Sequence, residues 1–106
     1  MVKTIYNDLL TDLGLEAEDV PLFVGETLRQ EQGGSCYAHN AIIAEVPNII
    51  PTSHIVSSKG CSGNGVDPWH FSTSAYRVMG KRYAYQALKA MGQEVKKDSA
   101  YTIPDN

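Results

Sequence analysis

The chain has 106 residues, of which 42% are hydrophobic and 20% are charged, and its formal net charge is -3 at pH 7. This length predicts a single domain, and this composition excludes a disordered or fibrous chain. The slight acidic excess argues against a nucleic-acid-binding surface, which would need clustered lysine and arginine, and no apolar run approaches the roughly 18 residues of a membrane span.

The N-terminal residues do not have the pattern of a signal peptide, because Asp8 interrupts them before an apolar core forms. Two expectations follow. Either the protein is cytoplasmic, or its natural N-terminus lies upstream of Met1. In the second case an upstream signal peptide would direct it to the periplasm or outside the cell.

The first half of the chain predicts a helix followed by a strand. Apolar residues recur at spacings of three and four over residues 2–13, which indicates one apolar face of a helix that ends at Gly14. The run Val20–Gly25 is continuously apolar, as strands covered on both faces of a parallel sheet are. A polar loop follows, from Thr27 to Ser35.

A second helix and a second strand are predicted in the middle of the chain. The helix is expected from about Ser35 or Cys36 to Val46, with Ser35 as its cap and Pro47 as its stop. The strand is expected at His54–Ser58, followed by a glycine-rich loop. This loop leads to the segment before the last predicted helix.

The last predicted helix runs from about Ser72 or Thr73 to Met91. Its predicted buried face comprises Tyr76, Met79, Gly80, Tyr83, Ala84, Ala87, Leu88 and Met91. Its predicted solvent face comprises Arg77, Lys81, Arg82, Gln86 and Lys89. Gly80 is expected to let the helix approach a strand closely. Residues 93–106 are expected to form a polar C-terminal tail.

This alternation of helices and strands predicts an α/β fold with parallel strands and right-handed crossovers. Two parallel strands leave two open edges of unpaired backbone, and three apolar helix faces need more sheet to cover. We therefore expect half of an α/β sandwich, which needs either another segment or another copy of the same chain.

The short segment before the last helix contains candidate chemistry. Asp67 and His70 are three residues apart and follow the second strand, at the edge where ligands sit in open α/β sheets. A carboxylate that accepts from one imidazole nitrogen leaves the other nitrogen free to take a proton. The alternative is that Asp67 caps a turn and His70 packs at the start of the helix.

The stretch Asp67–Ser72, followed by Tyr76-Arg77 and Gly80–Ala84, resembles the last conserved block of SGNH-type esterases. It is most similar to the carbohydrate esterases that include acetylxylan esterases and sialate O-acetylesterases. Two earlier segments, Pro21–Glu26 and Ile55–Cys61, resemble the strands that precede this block. The likeness thus extends in order over residues 2–92.

The resemblance implies a three-layer, flavodoxin-like α/β/α sandwich in which Asp67 is the triad acid and His70 the triad base. It implies no cofactor, and an acetylated sugar or polysaccharide as the substrate. The family's nucleophilic serine and the residues of its oxyanion hole lie in earlier blocks that this sequence lacks, and the family's domain is much longer. Residues 1–92 therefore resemble the C-terminal half of an esterase, which we expect to be inactive alone. The alternative function is a non-catalytic fragment or an oligomeric structural or binding chain.

Three further residues are candidates for substrate binding. Glu26 and Asn40 are expected near the same edge of the sheet, where they would line a sugar-binding cleft or would be ordinary solvated side chains. Trp69, between the acid and the base, would stack on a sugar ring or pack the loop.

The two cysteines allow two hypotheses. Ser35 and Cys36 would sit at a helix N-terminus, which lowers a thiol pKa, so either is a candidate local nucleophile; a helix cap and an ordinary thiol are the simpler interpretation. Cys36 and Cys61 are expected on the same edge of the sheet, where a disulfide is geometrically feasible, although two unrelated thiols remain the alternative.

A metal site is not expected. Cys36 and His39 have ligand-like spacing, but four zinc ligands cannot be assembled from this sequence. We expect His39 on the surface of a helix and His54 at the start of a strand.

Overall fold

A computed structural model of the chain describes residues 1–95. The helices and strands, in chain order, are α1 (Val2–Leu13), β1 (Leu22–Gly25), α2 (His39–Ile43), α3 (Val46–Ile49), β2 (Ser53–Val56) and α4 (Thr73–Ala90). Most of the expected C-terminal tail, residues 96–106, lies outside the described residues. Within residues 1–95 no helix combines the length and the apolar character needed to cross a bilayer.

The two strands pair in parallel, as the sequence predicts. Leu22 lies opposite Ser53, and Gly25 lies opposite Val56. Both strands are shorter than the predicted apolar runs. The carbonyl oxygen of Val20 accepts from the Tyr6 hydroxyl at 2.6 Å, so a residue that precedes the paired part of β1 is bonded to α1 and not to β2.

The first and last helices are confirmed. Gly14 ends α1 in the left-handed conformation, with φ of 65°, which glycine adopts without steric cost. The Ser72 hydroxyl caps α4 by accepting a hydrogen bond from the backbone N–H of Ala75.

The prediction for the second helix is wrong. The chain forms two short helices, α2 and α3, in place of one. Ser35 caps neither of them, and its backbone N–H donates to the carbonyl oxygen of Pro68. Pro47 lies in the first turn of α3, where its missing N–H costs nothing, so it starts a helix and does not stop one.

Helices cover both faces of the small sheet. One buried cluster lies between the sheet and α4 and comprises Val56, Cys61, Ala75 and Met79, with Phe23 packed against it. The other lies between the sheet, α1 and α3 and comprises Tyr6, Val46 and Ile50, with Leu22 and Val24 packed against it. Successive β1 residues thus point to opposite faces, and the fold is mixed α/β with a two-stranded parallel sheet.

The predicted buried face of α4 is largely wrong. Of its predicted members Met79 is buried, but Tyr76 and Tyr83 are exposed. Nothing lies within 4 Å of the space that a Cβ atom on Gly80 would occupy, so this glycine does not serve a close approach to a strand. The buried residues of α4 are Ala75, Met79 and Arg82.

Arg82, predicted in solvent, is only 6% exposed. Its guanidinium group donates to the carbonyl oxygens of Ser57 and Lys59, at 2.9 and 2.8 Å, and contacts the sulfur of Cys61. These carbonyls follow the end of β2. The arginine supplies a long donor that reaches them, which apolar periodicity does not anticipate.

Apolar side chains remain uncovered on two helices. They are Val2, Ile5, Leu9 and Leu13 of α1, with Tyr76, Tyr83 and Leu88 of α4. Within residues 1–95 no third strand pairs with either edge of the sheet. Exposed apolar side chains and open sheet edges are each typical of surfaces that pack against other protein.

Two glycine substitutions test this arrangement. Gly80→Ala is expected to raise the free energy of unfolding by about 0.5–1 kcal/mol, because alanine is the better helix former and its methyl group meets no atom. If Gly80→Ala lowers the free energy of unfolding instead, the result would support the original prediction that Gly80 faces a strand.

Gly34→Ala is expected to lower the free energy of unfolding by about 1–3 kcal/mol, because the methyl group would clash with the backbone carbonyl of buried Leu28. Chemical denaturation measures both substitutions.

Arg82→Met should lower the free energy of unfolding by about 1–3 kcal/mol, because it leaves the carbonyls of Ser57 and Lys59 without their shared donor. The matched control is Arg77→Met on the exposed side of α4, with an expected change within about 0.5 kcal/mol. Equal effects of the two variants would contradict the buried position of Arg82.

Candidate functional site

The loop that carries the candidate site starts from a rigid edge of the sheet. The Glu26 carboxylate, just after β1, accepts from the backbone N–H of Ser58 at 2.8 Å and from Arg29 at 2.9 Å. The Ser58 hydroxyl donates to the carbonyl oxygen of Thr27 at 2.7 Å. The segments that follow β1 and β2 are thus tied together where the sheet ends.

A narrow neck then closes the tip of this loop. The backbone N–H of Ser72 donates to the carbonyl oxygen of Ser62, and that of Asn64 donates to the carbonyl oxygen of His70. Gly63 and Phe71 form an isolated antiparallel bridge between them. The loop tip, residues 64–70, therefore has fixed ends.

Asp67 and His70 meet within this tip. Both carboxylate oxygens of Asp67 lie 3.0 Å from Nδ1 of His70. The imidazole is 63% exposed and the carboxylate 24% exposed. The spacing of three residues predicted this contact, and the structure shows it.

The same carboxylate also caps a turn. Oδ1 of Asp67 accepts from the backbone N–H of Trp69 at 2.8 Å and from that of His70 at 2.9 Å. Asp67 therefore caps a turn, as the alternative interpretation expected, and also contacts the ring. The His70 side chain is 63% exposed, so the packed histidine of that alternative is not seen. The turn brings the imidazole to the carboxylate.

Sequence reasoning missed Asn64. Its amide nitrogen donates to Oδ2 of Asp67 at 3.0 Å, and its amide oxygen accepts from the backbone N–H groups of Val66 and Asp67. Gly65 follows with φ of 76°, a left-handed conformation that favours glycine. The available signal was Asn-Gly ahead of the aspartate, since asparagine side chains bind the backbone two residues on.

The Asn64 amide and the Trp69 N–H hold the pKa of Asp67 well below its usual range, more strongly than desolvation raises it. The group is therefore ionised at neutral pH and only accepts hydrogen bonds. In a neutral His70 ring the proton then belongs on Nδ1, which leaves the Nε2 lone pair available as a base.

The described residues do not bring a nucleophile to this base. Within residues 1–95 no hydrogen bond joins a serine or cysteine side chain to the His70 ring. The nearby hydroxyls of Ser62 and Ser72 bond to each other at 2.8 Å.

The cysteine hypotheses do not fit the structure. Both Cys36 and Cys61 are free thiols, so the disulfide is not formed. Cys61 is buried, and burial raises its pKa despite the opposing charges of Arg82 and Arg29. Cys36 lies before α2 and not at a helix N-terminus, so the dipole argument for a reactive thiol or for Ser35 fails.

Glu26 and Asn40 line one cleft of about 200 Å³ near the end of β1. One carboxylate oxygen of Glu26 and both amide atoms of Asn40 already bond within the protein. Asn40 clamps the backbone of Thr27, accepting from its N–H at 2.8 Å and donating to its carbonyl oxygen at 3.1 Å. Both side chains shape the loop after β1.

Trp69 is 61% exposed, so most of its surface is open to solvent. A separate shallow cleft of about 380 Å³ adjoins the acid and is lined by Gln32, Gly33, Gly63, Gly65, Val66, Asp67 and Pro68. An exposed aromatic side chain thus lies between the acid and the base in the sequence, and a shallow cleft adjoins the acid.

Among residues 1–95 no group of three or more His, Cys, Asp or Glu side chains is placed to hold a metal ion. His39 is exposed on α2, as predicted. His54 lies in β2, where its ring stacks on Phe23 with centroids 5.4 Å apart.

No family model matches the chain, and no solved structure matches it at a significant level. The likeness to SGNH esterases therefore depends on the residues quoted above and stays a prediction.

The low pKa of Asp67 has a measurable consequence. The pKa of Asp67 in the folded chain lies below its pKa of about 3.9 in the unfolded chain. The ionised carboxylate therefore stabilises the folded chain fully above a pH of about 3.9, and this stabilisation is lost as the pH falls through the folded-state pKa. Carboxyl-carbon NMR should show Asp67 still ionised at pH 3, while the chain remains folded. A midpoint near 3.9 would contradict the hydrogen-bond pattern.

Proposed function

We propose that this chain supplies the acid and the base of a Ser-His-Asp triad in a carbohydrate O-acetyl esterase. The serine lies on a segment other than residues 1–95. The observation that carries the proposal is the ionised Asp67 carboxylate 3.0 Å from Nδ1 of an exposed His70, on a loop that leaves the carboxyl end of β2.

The chemistry follows from the orientation of the ring. Nε2 of His70 takes the proton of the serine hydroxyl as its oxygen attacks the acetyl carbonyl carbon. The imidazolium then gives that proton to the departing sugar oxygen, which leaves an acetyl-serine. Water attacks the acetyl group with His70 again as the base, and acetate is released. Asp67 stays ionised and stabilises the imidazolium.

The fold supports a place for the serine-bearing segment. Residues 1–92 would form the C-terminal half of a flavodoxin-like SGNH sandwich, because a parallel strand pair already has helices on both faces. The missing half would continue the sheet at an open edge and cover the apolar side chains of α1 and α4, such as Ile5 and Tyr83.

The substrate would be an acetylated sugar or polysaccharide. Exposed Trp69 offers a flat apolar face for a sugar ring beside the acid–base pair. We expect Trp69 to contact the sugar rather than Glu26 or Asn40. The polar groups of those two residues bond to Arg29, Ser58 and Thr27. An upstream signal peptide would place the whole enzyme in the periplasm or outside the cell.

A second candidate function is a non-catalytic chain that covers its open sheet edge with another copy of itself. The exposed apolar side chains of α1 and α4 favour it as much as they favour a missing half. A self-associating chain would sediment as a dimer or larger species and would gain no activity from a serine-bearing segment.

Reconstitution tests the esterase proposal. The chain is co-expressed with the N-terminal half of an SGNH carbohydrate esterase that holds the serine block, and hydrolysis of an aryl acetate is measured. We expect activity from the pair and none from either part. Within the pair, His70→Ala and Asp67→Asn should each lower kcat by about 10³- to 10⁴-fold, since each removes a triad member.

The matched control is His39→Ala, which replaces an exposed histidine on α2 and should leave kcat unchanged. Hydrolysis by the isolated chain would show that its nucleophile is local. A well-associated pair without activity would contradict the proposed chemistry.

A further inference from the structure

We infer that Asn64 is a positioning residue that holds the Asp67 carboxylate against the His70 ring and thereby selects which imidazole nitrogen carries the proton. The inference rests on the proposed function for its effect on catalysis. Its effect on the ring belongs to the chain alone, so the two can fail separately.

The orientation of the Asn64 amide is fixed by its surroundings. Its oxygen faces two backbone donors, the N–H groups of Val66 at 2.9 Å and Asp67 at 3.0 Å. Its nitrogen faces a carboxylate oxygen of Asp67 at 3.0 Å. Exchanging the amide oxygen and nitrogen would set donor against donor and acceptor against acceptor, so only one orientation satisfies all three contacts.

Asn64 also holds the far side of the pair. Its backbone N–H donates to the carbonyl oxygen of His70 at 3.0 Å, across the neck of the loop. One residue therefore fixes the main chain of His70 and the side chain of Asp67. Asn64 therefore contributes to the positions of both the base and the acid.

The carboxylate is held from both ends as a result. Oδ2 accepts from Asn64, while Oδ1 accepts from the backbone N–H groups of Trp69 and His70. Both oxygens then remain 3.0 Å from Nδ1 of His70. Without the amide, Oδ2 would have only the ring and water as partners, and the side chain could rotate away.

This orientation matters because a neutral imidazole in water favours the tautomer with its proton on Nε2, which cannot act as a base at that nitrogen. A fixed, ionised carboxylate at Nδ1 favours the opposite tautomer, as the hydrogen bond at one ring nitrogen decides the protonation of the other. The hydrogen bond from Asn64 also lowers the pKa of the Asp67 carboxyl. The amide thus favours the base-competent form of His70.

Nitrogen-15 NMR of the His70 ring in the full chain tests the inference. At a pH where the ring is neutral, the unsubstituted chain should show the Nδ1–H tautomer as the majority form. Asn64→Ala removes both the turn acceptor and the donor. Asn64→Asp keeps the acceptor for Val66 and Asp67 but replaces the donor with a negative oxygen. Both variants should shift the majority to the Nε2–H tautomer.

The matched control is Asn48→Asp. The amide nitrogen of Asn48 also donates to a carboxylate, that of Glu45, at 2.8 Å. Asn48 lies on α3, outside the loop that carries Asp67 and His70. This variant should leave the His70 tautomer unchanged. In a reconstituted enzyme Asn64→Asp should lower kcat with little change in KM, as expected for a residue that does not touch substrate.

A majority Nδ1–H tautomer in a folded Asn64→Asp chain would overturn the inference, as would a majority Nε2–H tautomer in the unsubstituted chain. If Asn64→Ala does not fold, Asn64→Asp alone decides, since it keeps the turn. A tautomer shift without any reconstituted activity would support the role of Asn64 and count against the esterase proposal only.

Discussion

The Asp67 carboxylate is the acceptor on which the loop between β2 and α4 depends. Four groups donate to it: the Asn64 amide, the backbone N–H groups of Trp69 and His70, and Nδ1 of His70. Three of these donors shape the turn and the fourth is the candidate base. Local folding and the proposed chemistry therefore use the same carboxylate.

The loop keeps this conformation because hydrogen bonds fix the edge of the sheet from which it starts. Glu26 ties the ends of both strands through Ser58, and Arg82 reaches from α4 to the carbonyls after β2. These contacts lie between elements far apart in sequence. A two-stranded sheet is marginal by itself, so side-chain hydrogen bonds of this kind supply order that further strands would otherwise provide.

Sequence reasoning succeeded where the signal was local. The period of α1 and the cap at Ser72 are properties of a few neighbouring residues, and the contact between Asp67 and His70 requires only a short turn. It failed where long-range partners decide. The burial of Arg82 depends on carbonyls after the end of β2, and Ser35, expected as a helix cap, donates its backbone N–H to the carbonyl oxygen of Pro68 in the site loop. Asn64 was missed because the Asn-Gly pair indicates a turn, but not that the amide also donates to the Asp67 carboxylate.

The error in the α4 prediction is informative. The stripe that includes Tyr76 and Tyr83 has the apolar period of a buried face, yet these side chains are exposed in this chain. Exposed apolar side chains of this kind are typical of a helix surface that packs against other protein. The same mismatch appears on α1, where Ile5 and Leu9 are exposed.

The central claim is that the base in this chain activates a serine on another segment. Covalent labelling of that serine by a fluorophosphonate probe tests it most directly, because labelling requires an activated hydroxyl. We expect negligible labelling of the serine-bearing segment alone, rapid labelling after addition of this chain, and loss of labelling with the His70→Ala chain. Equal labelling with and without the His70 imidazole would contradict it.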